Sequence, residues 1–214
     1  MLTLAEELLL LGIRDEQGTV VSGASVSLRY GLSGALLAEL ISLGRLALDD
    51  RGRVRVVDAS PTGDDLFEDA LALIAERKKP RTLKDWVLTL GPSKVKVLER
   101  LERRLVDRGI LREEEGRVLW VFPTHRFPEM DGAPEQRVRE RLRAVVLGGD
   151  HPGPRTCLLV ALVKATRLTN EVFAKEERSA ANARIDELSR GDATGAAVAG
   201  ALQAVEAEMV AATT

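Results

Sequence analysis

The chain has 214 residues and a net charge of -2, with 45% hydrophobic, 30% charged and only 3% aromatic residues. This balance is that of a folded globular protein, of one large domain or two small ones, and it excludes a disordered or fibrous chain. Because there is no basic excess, the composition also argues against a dedicated nucleic-acid binder.

The first half of the chain is typical of short helices separated by turns. Thr3 and Glu6 form a T-x-x-E capping box that begins a helix, and Gly12 ends it. The pattern after that helix predicts, in order, a short strand over 19–21, a helix over 33–43, and a hairpin of strands 45–48 and 53–57.

The second half is also mostly helical. Asp64 is placed to cap a helix over about 65–77, and Ser93 is placed to cap another that ends near Asp107. The remaining pattern predicts a helix over 83–90, a second hairpin of 110–112 against 117–122, and helices over 134–147, 155–174, 178–189 and 194–211. We therefore expect a mainly α fold, a helical bundle with two β-hairpin excursions.

The second hairpin carries an unusual apolar pattern. On its predicted return strand Val118, Trp120 and Phe122 share one face, while Leu119 and Val121 share the other. A two-stranded ribbon cannot bury both faces by itself. One face must therefore meet the rest of the chain, a neighbouring subunit or a membrane surface.

Three basic clusters stand out against the near-neutral total. They lie at 77–84, 94–108 and 137–143. With the hairpin as a wing, residues 83–122 could form a winged-helix-like nucleic-acid-binding module. Acidic residues interleave along 94–108, however, and this favours a solvated helical face there. The alternatives are a surface for anionic lipid and simple solubilising charge.

Motifs that would indicate catalysis or a cofactor are absent from the sequence. It has no phosphate-binding G-x-x-x-x-G-K-[ST] loop and no G-x-S-x-G elbow. Cys157, His125 and His151 show no metal-ligand spacing, so we expect no metal. No secretory signal or membrane-spanning segment is visible. These observations predict a cytoplasmic, non-enzymatic protein without a cofactor, with at most a peripheral membrane role.

Several segments, in order along the chain, resemble the Golgi phosphoprotein 3 family. They are LTLAEELLLLG at 2–12, GLSGALLAEL at 31–40 with GRL at 44–46, SPTGD at 60–64 with EDAL at 68–71, RLVDRGIL at 104–111, and 155–173. The alanine, arginine and glycine content is typical of a bacterial member. The resemblance implies one domain over 1–214 and a helical peripheral membrane protein that binds phosphatidylinositol 4-phosphate. In eukaryotic relatives it further implies an adaptor for glycosyltransferase tails. It also implies oligomer contacts through the second hairpin.

The lipid pocket of this family uses a tryptophan, an arginine near the second helix, and two arginines three residues apart on the long helix. The matching positions here are Ala24, Ser33, Val95 and Leu98. Arg29 and Lys94 are candidate substitutes, and with Ser33 they form the predicted head-group site. Without the arginine clamp we expect poor discrimination among anionic head groups. A protein-binding scaffold is the other alternative.

Overall fold

The computed structural model describes residues 1–14, 18–21, 25–91, 95–118, 122–191 and 193–213. Within these ranges the protein is mainly α-helical with two antiparallel hairpins, as the sequence predicts. The helices are α1 (Leu4–Gly12), α2 (Ser25–Ser42), α3 (Asp65–Ala75), α4 (Leu83–Leu90), α5 (Val97–Asp107), α6 (Ala133–Val146), α7 (Pro154–Ala165), α8 (Thr169–Val172), α9 (Arg178–Gly191) and α10 (Ala193–Thr213). The strands are β1 (Leu46–Leu48), β2 (Val54–Val56), β3 (Glu114–Val118) and β4 (Phe122–Arg126).

Helix α1 lies at the centre of the bundle and is buried over its whole length. It begins with the predicted capping box, in which the Glu6 backbone N–H donates to Thr3 Oγ1 at 3.2 Å and the Thr3 N–H donates to Glu6 Oε2 at 2.7 Å. Helices α2, α5, α6, α7 and α8 all pack against it. A helix that is apolar on nearly every side needs this complete enclosure, which accounts for its run of leucines.

Helix α2 begins at Ser25, two turns before the predicted start at Ser33. Packing stabilises the added turns, because Leu28 is only 1% exposed. A Cβ atom on Gly31 would lie 2.2 Å from Thr166 Cγ2, so glycine lets α2 approach the end of α7 closely. This glycine therefore marks a helix crossing.

The first hairpin lies where the sequence predicts it. Leu46 pairs with Val56 and Leu48 pairs with Val54. The hairpin is attached to the chain before α4, since the Val54 N–H donates to the Arg81 carbonyl at 2.8 Å. Helix α3 packs against β2. Together β2, α3 and the start of α4 surround a surface groove.

The predicted strands of the second hairpin are wrong. The structure pairs β3 with β4, with Val118 opposite Phe122, and the connection at 119–121 lies outside the described residues. Ile110 and Leu111, predicted as a hairpin strand, are instead buried in the core beyond α5. A proline, Pro123, is tolerated in β4 because a two-stranded ribbon has a free edge on each strand.

The C-terminal third is close to the prediction, with one break. The predicted helix over 155–174 is divided into α7 and α8, because Arg167 between them has a left-handed φ of 61°. Helix α10 packs against α2, α4 and α7, and the buried apolar side chains form one contiguous cluster. In the described part of the chain, no helix is both long and apolar enough to cross a membrane. A single domain over 1–214 stays a prediction.

Candidate functional site

The structure places two of the three predicted head-group residues on α2. Arg29 is exposed, and Ser33 follows one turn later on the same face. Arg29 therefore needs no folded-back loop to approach Ser33. Ser33 itself is 0% exposed, so a head group at the surface would meet Arg29 first. The third residue, Lys94, lies outside the described residues.

A carboxylate that the sequence analysis missed lies beside Arg29. Leu98 on α5 is partly buried, and Glu102 follows it by one turn on the same face. Burial raises the pKa of Glu102 to about 7, with Glu99 and Glu113 adding to the effect and Arg29 opposing it. This chain therefore carries an acid next to Arg29, the cation of α2. The one-turn spacing from Leu98 was the available sequence signal.

Two of the arginines of α5, Arg100 and Arg104, pair with acids at the start of α3, whereas Arg103 is exposed. Arg104 Nη1 lies 2.7 Å from Asp64 Oδ2, and Arg104 also pairs with Asp65. Arg100 pairs with Asp65 and, at 2.5 Å, with Asp69. Helix α5 therefore does not present these cations to nucleic acid, and this argues against the winged-helix alternative for 83–122. Asp64 also caps α3 as predicted, accepting from the Leu66 and Phe67 N–H groups.

The basic cluster at 137–143 holds helices together. Arg141 Nη2 lies 2.7 Å from Glu7 Oε2 on α1, and Arg143 Nη2 lies 2.6 Å from Glu177 Oε1. A hydrogen bond from Arg143 lowers the pKa of Glu177 below its ordinary value. Arg139 is bound to Glu135 and to a backbone carbonyl on α8. These three arginines are structural, so a lipid-binding face built from them is not supported.

A buried acidic cluster lies where α1, α2 and α7 meet. Glu39 accepts from the Leu4 N–H at 2.7 Å and pairs with Arg155 Nη1, while Arg155 Nη2 donates to the Leu2 carbonyl at 2.7 Å and lies 3.7 Å from Glu7 Oε1. Burial raises the pKa of Glu39, and the hydrogen bond from Arg155 opposes that rise. Arg155 therefore supplies the positive charge between two neighbouring buried carboxylates.

The third basic cluster, at 77–84, differs from the other two in having three consecutive exposed cations, whereas Lys96, Arg103 and Arg137 are isolated exposed cations of the other clusters. Arg77, Lys78 and Lys79 are exposed and have no ion pair to any described residue. Arg81 lies over the Trp86 ring at 6.0 Å and donates to Thr89 Oγ1 at 3.2 Å. The cations at 77–79 thus stay available to a ligand.

The residues of the predicted oligomer contact are only partly placed. Val118 and Phe122 are paired in the register at the end of the β3–β4 ribbon, and Trp120 lies outside the described residues. The ribbon strands pair only with each other in the described chain. Among the described residues, no group of three His, Cys, Asp or Glu side chains is arranged to hold a metal ion.

Comparison with known proteins supports the resemblance. A model of the family described as Golgi phosphoprotein 3 (GPP34) matches residues 4–207. Two proteins named "Vacuolar protein sorting-associated protein 74", from Eremothecium gossypii and Schizosaccharomyces pombe, are each 33% identical to the chain, over 167 and 166 residues. Each alignment covers 68% of this chain, and 49% and 48% of the respective relative. The chain therefore spans about half the length of the curated relatives it matches.

Proposed function

The chain belongs to the Golgi phosphoprotein 3 family, and from that premise we propose that it is a non-enzymatic peripheral membrane protein that binds anionic lipid head groups. The observation that carries the proposal is the family match over 4–207, almost the whole chain. The exposed, unpaired cations at 77–79 and at Arg29 support it, because such residues attract anionic membrane surfaces. Its place would be the cytoplasm and the membrane surface.

We place the inherited head-group site between α2 and α5, with Arg29 as its exposed cation, Ser33 beneath it and Lys94 as the second cation. The carboxyl group of Glu102 makes this site less positive than a site that contains an arginine pair. A single guanidinium without a bidentate partner contacts any phosphate similarly. Phosphatidylinositol 4-phosphate, the ligand that the family resemblance implies, should therefore bind here with little preference over other anionic lipids.

Vesicle flotation tests this function. The protein should float with phosphatidylcholine vesicles that contain phosphatidic acid, and should detach as salt rises, because charge contacts are screened beyond about 10 Å at 0.1 M. Arg29→Gln should weaken binding about fivefold. Arg137→Gln removes an exposed cation elsewhere and is the matched control.

Two results would contradict this proposal at different points. Strong selectivity for phosphatidylinositol 4-phosphate would show that the pocket is specific despite its replacements. Failure to float even at low salt would remove the lipid function and favour a protein-binding scaffold.

We further propose that the protein self-associates through the β3–β4 ribbon and acts as an adaptor for protein partners. The names of the relatives, which refer to vacuolar protein sorting, support a role in trafficking. A ribbon that pairs with no other described strand has open edges and two faces to cover. Val118, Trp120 and Phe122 would form the contact.

Sedimentation across a concentration series tests the self-association. The native chain should form oligomers as concentration rises, and Trp120→Ala with Phe122→Ser should keep it monomeric while its circular dichroism stays helical. A native chain that is monomeric at every concentration, or a double variant that unfolds, would assign the ribbon to the ordinary core.

A further inference from the structure

A surface groove lies between β2, α3 and α4 and is lined by apolar and cationic residues. It holds about 430 Å³, within the size range of small-ligand sites. Its walls are apolar at Val54, Val56 and Ile74, and its rim is cationic. The cations are Arg55, Arg77 and Lys78.

The charge of this groove is positive and only partly compensated, because Arg55 pairs with Asp49 outside the lining. Three cations line it, and none of its described lining residues is acidic. The cavity near the start of α3 is the contrast, because there Arg104 and Arg108 face Glu6, Asp64 and Asp65. From this charge we infer that the groove between β2, α3 and α4 binds the phosphate-bearing head group of an anionic phospholipid at a bilayer surface. The inference rests on the proposed function and gives it a site apart from α2 and α5.

All three cations can turn to a ligand. Arg77 and Lys78 are exposed and form no ion pair with a described residue. Arg55 lies 3.3 Å from Asp49, and its side chain is 53% exposed. Asp49 does not depend on Arg55, because hydrogen bonds from the Arg53 side chain and backbone hold the pKa of Asp49 well below its usual range. Arg55 can therefore leave Asp49 at little cost.

Two features favour a membrane lipid over a free phosphorylated molecule. Val57, next to Val56 on the groove wall, is 62% exposed and offers apolar surface beside the cations. Trp86, which also lines the groove, is 1% exposed, and its indole N–H has no acceptor among the described atoms. An apolar wall, cations at the rim and a donor still in need of an acceptor match a head group with its glycerol backbone.

Charge removal in the groove is the test. Arg77→Gln with Lys78→Gln should weaken flotation with phosphatidic acid vesicles about 30-fold, at about fivefold for each cation. The control, Arg137→Gln with Lys175→Gln, removes the same charge from exposed positions outside the groove and should leave binding nearly unchanged. Circular dichroism should show that both double variants are as helical as the native chain, because all four replaced side chains are exposed.

The outcomes separate this inference from the proposed function. If the native chain does not float, both fall. If it floats and the groove variant floats equally well, or if the control variant loses as much binding, only the groove inference falls. In a last measurement, soluble glycerol 3-phosphate is added to the native chain without vesicles. Saturable binding there, with no flotation, would identify a free phosphorylated molecule as the occupant and overturn the lipid assignment.

Discussion

Replacement of Arg155 by alanine should lower the free energy of unfolding by about 3–5 kcal/mol, the usual cost of removing one partner from a buried ion pair. The loss follows from the charges left behind. Glu39 would lose its cation and lie beside Glu7, which would keep only Arg141 as an ion-pair partner. The Leu2 carbonyl would also lose its donor.

The loss should depend on pH in a defined direction. Burial already raises the pKa of Glu39 above its ordinary value of 4.5, and removing Arg155 raises it further. The folded state then holds a proton that the unfolded state releases, so stability falls as pH rises through the interval between the two pKa values. The variant should therefore be closest to the native chain below pH 4.5.

Urea unfolding followed by circular dichroism measures both effects. Arg137→Ala is the matched control, because Arg137 is exposed and pairs with no described residue. Adding Glu39→Gln to Arg155→Ala should restore part of the lost stability by removing one buried charge. A loss below 1 kcal/mol, or one that does not vary with pH, would mean that the cluster is fully solvated.

Replacement of Glu102 by glutamine should stabilise the protein by on the order of 1–3 kcal/mol above pH 7. The pKa of Glu102 in the folded state is about 7, because burial, Glu99 and Glu113 outweigh Arg29. The native chain therefore loses stability as pH rises from the ordinary value of 4.5 to about 7. Glutamine removes this loss, so the two proteins should be equally stable at acidic pH and diverge above it.

The same substitution has a functional consequence. Ionised Glu102 repels an anion beside Arg29, so Glu102→Gln should strengthen vesicle binding about fivefold at pH 8. Glu176→Gln, at an exposed position, is the control and should change stability by no more than about 0.5 kcal/mol. A Glu102→Gln variant that is less stable than the native chain at pH 8 would show that the carboxylate is favourably bound.

Local signals in the sequence were sufficient for most helix boundaries. The capping box at Thr3 and the cap at Asp64 each depend on atoms within three residues, and both are confirmed. The predicted start of α2 was wrong because the observed start depends on contact between Gly31 and Thr166, which are far apart in the chain. The predicted strands of the second hairpin were wrong because Ile110 and Leu111 lie in the core.

The candidate sites likewise combine features that the local sequence predicts with features that only the fold shows. The sequence identified the basic clusters but could not show which cations were already paired. Arg141 binds Glu7 across 134 residues, and Arg104 binds Asp64 across 40. Only the fold separates these structural arginines from the available cations at 77–79. Family membership was predictable because the order of the short segments that resemble the family is itself a property of the sequence.

The central position of α1 has a consequence for synthesis of the protein on the ribosome. Its leucines are synthesised well before α6, α7 and α8, which complete its enclosure, and the contact from Arg155 to Leu2 spans 153 residues. At about 5–20 residues per second, this separates the two by roughly 8–30 s. Until then a strongly apolar nascent helix is only partly enclosed, by α2 and α5, which makes it a natural ligand for ribosome-associated chaperones.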